Sequence, residues 1–208
     1  MTAYRTVACA AQSEYIVEKS QFLSFCVPVI APQEAAAAVA LLRKRHPGAT
    51  HVCYAYALRS GEKKFSDDGE PQGTAGMPIA EVLRNKDVTD ALVAVVRYFG
   101  GRKLGAGGLV RAYTEAAVRG IEAAGVKPMT LCVLCRVRYP FAMAGKPLPY
   151  TVTDRVYGTA VEVTYAVPVA EKQSFFALIS EQFAGACPVD ALGDRYIQYQ
   201  EKTPYDTH

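Results

Sequence analysis

Two glycine-punctuated segments about thirty residues apart constrain this chain more than any other feature. They are Ser66-Asp67-Asp68-Gly69-Glu70-Pro71-Gln72-Gly73-Thr74-Ala75-Gly76 and Arg97-Tyr98-Phe99-Gly100-Gly101-Arg102-Lys103-Leu104-Gly105-Ala106-Gly107-Gly108. One is acidic and the other basic. Each is expected to run into a helix, from Pro78 and from Leu109, which sets free backbone N–H groups and the positive end of a helix dipole beside a loop. Such loops suit phosphate or carboxylate groups. Glycine also supplies positive φ and close backbone approach, so two tight connections inside a compact domain explain the segments equally well. Neither is a nucleotide fingerprint: no Lys-Ser/Thr follows the glycines, and Gly105-Ala106-Gly107 has Val110 where a third glycine belongs.

With 208 residues, half of them hydrophobic, the chain can bury a real core and is expected to make two small domains, 1–127 and 128–208. The net charge of +3 is uneven, with 16 Lys+Arg against 12 Asp+Glu up to Lys127 and 7 against 8 beyond it. Phosphate neutralisation along duplex nucleic acid calls for a denser basic run than this, so an RNA-binding patch must be local. Arg97, Arg102, Lys103 and Arg111 form such a set, with Tyr98 and Phe99 beside them for stacking on bases. In the competing arrangement these charges pair internally with Asp67, Asp68 and Glu70. In a third, a glycine loop holds phosphate while the same carboxylates hold Mg²⁺, as in an enzyme acting on a phosphorylated small molecule.

No apolar stretch before Ser13-Glu14 reads as a signal peptide, and none has the length of a membrane span. The expected compartment is the cytoplasm, with six reduced cysteines. Cys132-Val133-Leu134-Cys135 lies in the alternating run Leu131 to Tyr139, where positions three apart face opposite sides of a strand, so neither zinc nor a disulfide is expected. His51 and Cys53 share a strand face but lack a third residue to orient the imidazole. No catalytic residue, metal ligand or cofactor is assigned.

Along the chain, strands are expected at Tyr15 to Lys19, Phe22 to Ile30 and His51 to Leu58, with a central strand at Ala91 to Val96 that is apolar throughout and covered on both faces. A helix opens at Pro32 and closes on Arg43-Lys44-Arg45-His46 before Pro47-Gly48, a charge pattern that helix electrostatics explains. Gly61 to Gly76 reads as a long irregular stretch. The helix from Leu109 packs its alanines and Tyr113 inward and ends at Gly125. Lys127-Pro128 opens a linker. Beyond it lie strands Leu131 to Tyr139 and Ala160 to Val167, a helix from Ala170 to Phe183, and a last strand at Tyr196 to Tyr199.

Taken with Lys19-Ser20-Gln21-Phe22, His51-Val52-Cys53-Tyr54-Ala55-Tyr56 and Gly108-Leu109-Val110-Arg111-Ala112-Tyr113, the two segments resemble the signature of the YigZ/IMPACT family from Glu18 to Gly125. The resemblance implies an α+β fold: an N-terminal domain like the second domain of small-subunit ribosomal protein five, then a ferredoxin-like domain, a pair also resembling the last domains of elongation factor G. In the second domain Pro147 and Pro149 oppose a full first helix, which is expected to be truncated. Eukaryotic relatives bind a ribosome-associated activator of a translation-control kinase. The implied function is a non-enzymatic, translation-associated regulator contacting RNA or a protein of the translation machinery, the alternatives being the Mg²⁺-dependent enzyme or a purely protein-binding module. The candidate binding residues are Asp67, Asp68, Gly69, Glu70, Gly73, Thr74 and Gly76 in the first segment. In and after the second they are Arg97, Tyr98, Gly100, Gly101, Arg102, Lys103, Gly105, Gly107, Gly108 and Arg111.

Overall fold

The computed structural model describes residues 2–144 and 148–199. In chain order the elements are β1 (Ala3–Val7), β2 (Ala11–Val17), β3 (Ser20–Pro28), α1 (Pro32–Arg45), β4 (His51–Ala57), β5 (Lys63–Ser66), α2 (Gly76–Asn85), β6 (Ala91–Tyr98), α3 (Gly105–Ala124), β7 (Val126–Tyr139), β8 (Thr151–Tyr157), β9 (Val161–Pro168), α4 (Lys172–Phe183) and β10 (Val189–Ile197). The fold is α+β, and the chain divides into two units, Tyr4–Lys127 and a second running from Pro128 that also takes in Ala3. Among the described residues no helix is long and apolar enough to cross a membrane.

In the Tyr4–Lys127 unit, β2-β3-β6-β4-β5 form one antiparallel sheet. Its apolar strand β6 splits its side chains between two cores, as its lack of alternation requires. Ala91, Val93 and Val95 pack with Ile79 and Leu83 of α2 and with Tyr113, Ala116 and Ala117 of α3. Leu92, Ala94 and Val96 pack on the opposite face with Ala35, Val39 and Leu42 of α1. The alternation of β4 obeys the same division, with Cys53 and Ala55 on the α2/α3 side and Val52 and Tyr56 on the α1 side. Gly120 lets α3 lie hard against β3, since a Cβ there would sit 2.2 Å from the Ser24 hydroxyl.

Several local expectations need correction. The first hairpin turns at Glu18-Lys19, both with positive φ (45° and 65°), so β2 ends at Val17 instead of Lys19. Two positive-φ residues match the right-handed twist of the strands they join. The stretch expected to be irregular contains β5, which continues the sheet beyond β4. α2 starts at Gly76 and α3 at Gly105, each ahead of the expected start. A helix can begin on glycine because its first N–H groups need no intrahelical partner.

In the second unit β10-β7-β9-β8 pair antiparallel in that order, a ferredoxin-like arrangement with α4 packed over Val133, Val137 and Val163. Between β7 and β8 the described residues hold a single 3-10 turn, Phe141–Met143, and Pro147 lies outside them. β8 was not expected, and β10 begins at Val189 instead of Tyr196. α4 opens after a 3-10 turn, Val169–Glu171, that takes up the expected first residues.

Candidate functional site

At one end of the five-stranded sheet the acidic segment leaves β5 and folds back on itself. Asp67 organises it: its carboxylate accepts the backbone N–H groups of Gly73 (2.9 Å), Ala75 (3.0 Å) and Gly76 (2.8 Å), which stitches the loop to the first turn of α2. Burial works against ionisation of this carboxyl, but the three N–H donors outweigh it and hold its pKa below the usual range. Thr74 closes the turn through its hydroxyl to the Pro71 carbonyl at 2.6 Å. Gly76 is required by packing, since a Cβ there would lie 2.7 Å from the Ser66 backbone. Asp67→Ala is expected to cost about 1–2 kcal/mol, as for loss of a helix cap. A folded-state pKa below the unfolded value means that this contribution is complete above the ordinary carboxylate range and is lost as pH falls below it. Denaturant unfolding across acid pH should therefore show a smaller loss of stability in the variant than in the wild type.

Asp68, at φ 44°, and Gly69, at φ 87°, turn the chain against β4. One Asp68 oxygen meets Arg43 of α1 at 2.5 Å, the other accepts the Val52 N–H at 2.7 Å, and its carbonyl lies 2.8 Å from His51 Nδ1. Glu70 points inward. Its Oε1 takes the Arg97 guanidinium at 2.6 Å and the Tyr113 hydroxyl at 2.7 Å, with all three side chains buried. Arg97 lies over the rings of Phe22 and Phe99 at 5.4 and 5.6 Å, and its Nε is buried without a partner among the described residues. Burial together with the neighbouring Cys53 and Glu70 drives the Tyr113 hydroxyl far above its ordinary pKa, so it remains a donor.

The basic segment leaves β6 beside this cluster. Tyr98 is half-buried, its hydroxyl 2.9 Å from His46 Nδ1 at the end of α1. Gly100 crosses the β2-β3 hairpin so closely that a Cβ would lie 2.0 Å from Lys19 C and O. Gly101 and Gly105 adopt positive φ, 85° and 68°, and turn the chain into α3. Arg102 is exposed and meets Glu18, also exposed, at 2.9 Å. Lys103 and Arg111 are exposed and make no ion pair among the described residues. The Arg111 guanidinium folds toward the first turn of its own helix, 3.9 Å from where a Gly107 Cβ would stand. That turn has neither a side-chain cap nor an acidic residue. Gly107 and Gly108 are helical and not at positive φ; only Gly108 is tight, 3.0 Å from Leu104 Cβ.

Opposite charges thus do meet, through Glu70 and Arg97, while Arg102 turns to Glu18 and Lys103 and Arg111 face solvent. Arg97 belongs to the interior and cannot serve the exposed basic set it was grouped with. Arg43, read from sequence as helix electrostatics, holds Asp68. Tyr113, read as packing, donates to Glu70 across 43 positions of sequence, a separation at which local patterning carries no signal.

Residues 18–121 match the Impact N-terminal domain, a span that opens in the β2-β3 turn, closes within α3 and encloses every residue just described. The chain belongs to the YigZ/IMPACT family. It is 40% identical over 146 residues to IMPACT family member YvyE of Bacillus subtilis, covering 69% of this chain and 67% of that one. It is 30% identical over 187 residues to IMPACT family member YigZ of Escherichia coli, covering 85% and 91%. Among solved structures, one described as a hypothetical protein matches with TM-score 0.62 and 27% identity over 93% of this chain and 98% of that one. A two-domain translational regulator, Yih1, matches with TM-score 0.33 and 25% identity over 56% of this chain and 46% of that one.

Two chemical points follow within this IMPACT domain. The carboxylates of Asp67, Asp68 and Glu70 point to three separate sets of protein donors, so they do not converge on a common cation. Burial pushes the Cys53 thiol up to about 12, and its Sγ–H donates to the Asp67 carbonyl at 3.0 Å, which makes it a core group and not a nucleophile. In the second unit Cys132 and Cys135 are free, buried and on opposite faces of β7, as the alternation requires, and burial raises both thiols.

Proposed function

We propose that this IMPACT-family protein is a translation-associated regulator that binds single-stranded RNA through the end of the sheet where α1 stops and α3 begins. The observation carrying this reading is the charge left over after internal pairing. Every acidic side chain of the first segment is taken, while Lys103 and Arg111 have no ion pair among the described residues and Arg102 shares only an exposed one. The Arg43 to Asp68 and His46 to Tyr98 contacts bring the basic end of α1, with exposed Lys44 and Arg45, to the same end. Phe99 offers an exposed ring there, and the bare first turn of α3 presents backbone N–H groups. Cations, a stacking surface and free N–H donors are the parts that single strands use. The translation setting comes from the family, whose eukaryotic members bind a ribosome-associated activator. Gly69, Gly73, Thr74, Gly76, Gly100, Gly101 and Gly108 serve as the frame, and the contacts fall to Arg102, Lys103, Arg111, Tyr98, Phe99 and the N–H groups at Gly105 and Gly107.

Affinity capture from lysate, with and without ribonuclease, checks this. RNA is expected to be recovered by the wild-type protein and lost with Arg102→Ala/Lys103→Ala/Arg111→Ala. Protein partners that persist through ribonuclease, with no RNA recovered before it, would make the protein-binding module the better account.

A further inference from the structure

On the same unit, away from the basic end, a cleft of about 310 Å³ opens between β5 and α2, walled by Phe65, Ala80, Leu83 and Val88. Among the described residues β5 is the last strand of its sheet and pairs with β4 alone, so one edge of its backbone has no described strand beside it. Phe65 pairs with Ala55, which belongs to the core shared with α2, so its ring stands on the α2 face. That ring is 48% exposed, as is Met77 in the first turn of α2. The close seat of Gly76 on the Ser66 backbone presses that turn against the end of β5. An exposed aromatic ring on a free strand edge beside an apolar cleft is the geometry of strand addition, in which main-chain hydrogen bonds supply affinity and a pocket selects a side chain.

We propose that this edge and cleft take an extended, acidic segment of a partner protein, which adds a strand to β5 and seats one apolar side chain between Phe65 and α2. Charge decides the occupant. β5 itself carries Lys63 and Lys64 and no acidic residue, with Lys64 on the α1 face because it pairs with Tyr56; Glu81 beside the cleft is taken by Arg84, and Lys63, Lys64 and Asp87 have no ion pair among the described residues, two positive against one negative along this edge. A second copy of this strand would bring lysines against lysines, a disfavoured pairing. Acidic residues flanking an apolar one meet the lysines and fill the cleft.

The probe is a set of short peptides with a Val-Phe-Val centre flanked by Asp/Glu, by Ser, or by Lys, titrated against the full chain and followed by backbone amide exchange. The acidic peptide should bind about tenfold or more tightly than the Lys-flanked one and slow amide exchange in β5. Methylating the central peptide nitrogens should abolish its binding. Ala80→Arg, which blocks the cleft at its rim, and Phe65→Ser should each weaken binding by about tenfold, with thermal unfolding confirming that both variants fold. The proposal is overturned if the acidic peptide does not bind, if the flank order is absent or reversed, or if both folded variants bind as the wild type does. Retained binding in Arg102→Ala/Lys103→Ala/Arg111→Ala separates this site from the RNA surface.

Discussion

Gly100→Ala is expected to destabilise the Tyr4–Lys127 unit by about 3 kcal/mol or more, at the upper end of overpacking penalties. The added Cβ would lie 2.0 Å from Lys19 C and O and 2.4 Å from Ser20 N. These are backbone atoms, so no side chain can rotate away. Nor can the hairpin retreat, because Ser20 pairs with Val17 across the turn and Gln21 pairs with Tyr98 on β6. Gly107→Ala provides the contrast. It is exposed and helical, with nothing nearer than the flexible Arg111 guanidinium at 3.9 Å, and the gain in helix propensity should leave stability unchanged or raise it by about 0.5–1 kcal/mol. Denaturant midpoints of the two variants check both values. Equal midpoints would remove close approach as the reason for glycine at position 100.

Glu70→Ala is expected to cost about 3–5 kcal/mol, the penalty for stranding one member of a buried ion pair. Arg97 is 5% exposed and its Nε already lacks a partner among the described residues, so the guanidinium would have only the rings of Phe22 and Phe99 for company. The Tyr113 hydroxyl would lose its acceptor at the same time. Replacing both charges, as Glu70→Leu with Arg97→Met, should recover most of the loss, because apolar groups of similar volume need no counter-charge. A double variant no more stable than Glu70→Ala would show that the pair does more than neutralise itself.

The features legible in the sequence were those that a local pattern imposes. The apolar run Ala91 to Val96, without alternation, reads as a central strand covered on both faces, and Pro32 with the Arg43-Lys44-Arg45 cluster bounds α1 correctly. β5 was missed because Lys63-Lys64-Phe65-Ser66 is short and half lysine, and its strand state comes from pairing with β4. The start of α3 was placed too late because glycine is a poor helix former, whereas a first turn demands little of its residues. At the site, the opposed charge of the two segments was visible but the partner of each charge was not. That Glu70 takes Arg97 while Arg102 takes Glu18 depends on which strand face each residue occupies and on the β2-β3 turn reaching the second segment. Arg97 divides the two arrangements open in the sequence: four positions before the exposed Gly101 it looks like part of a basic surface, but it shares a sheet face with Val93 and Val95, points into the interior and makes the internal pair with Glu70.

The most direct test of the proposed function is the affinity of the full chain for a single-stranded RNA measured across a range of salt concentrations. Wild type should bind at low ionic strength with an affinity that falls steeply as salt rises. Arg102→Ala/Lys103→Ala/Arg111→Ala, still folded, should bind more weakly with a slope of log affinity against log salt flatter by roughly 0.7 for each phosphate contact removed. Absence of salt-dependent binding in the wild type, or an unchanged slope in the variant, would contradict the assignment of this end as an RNA surface.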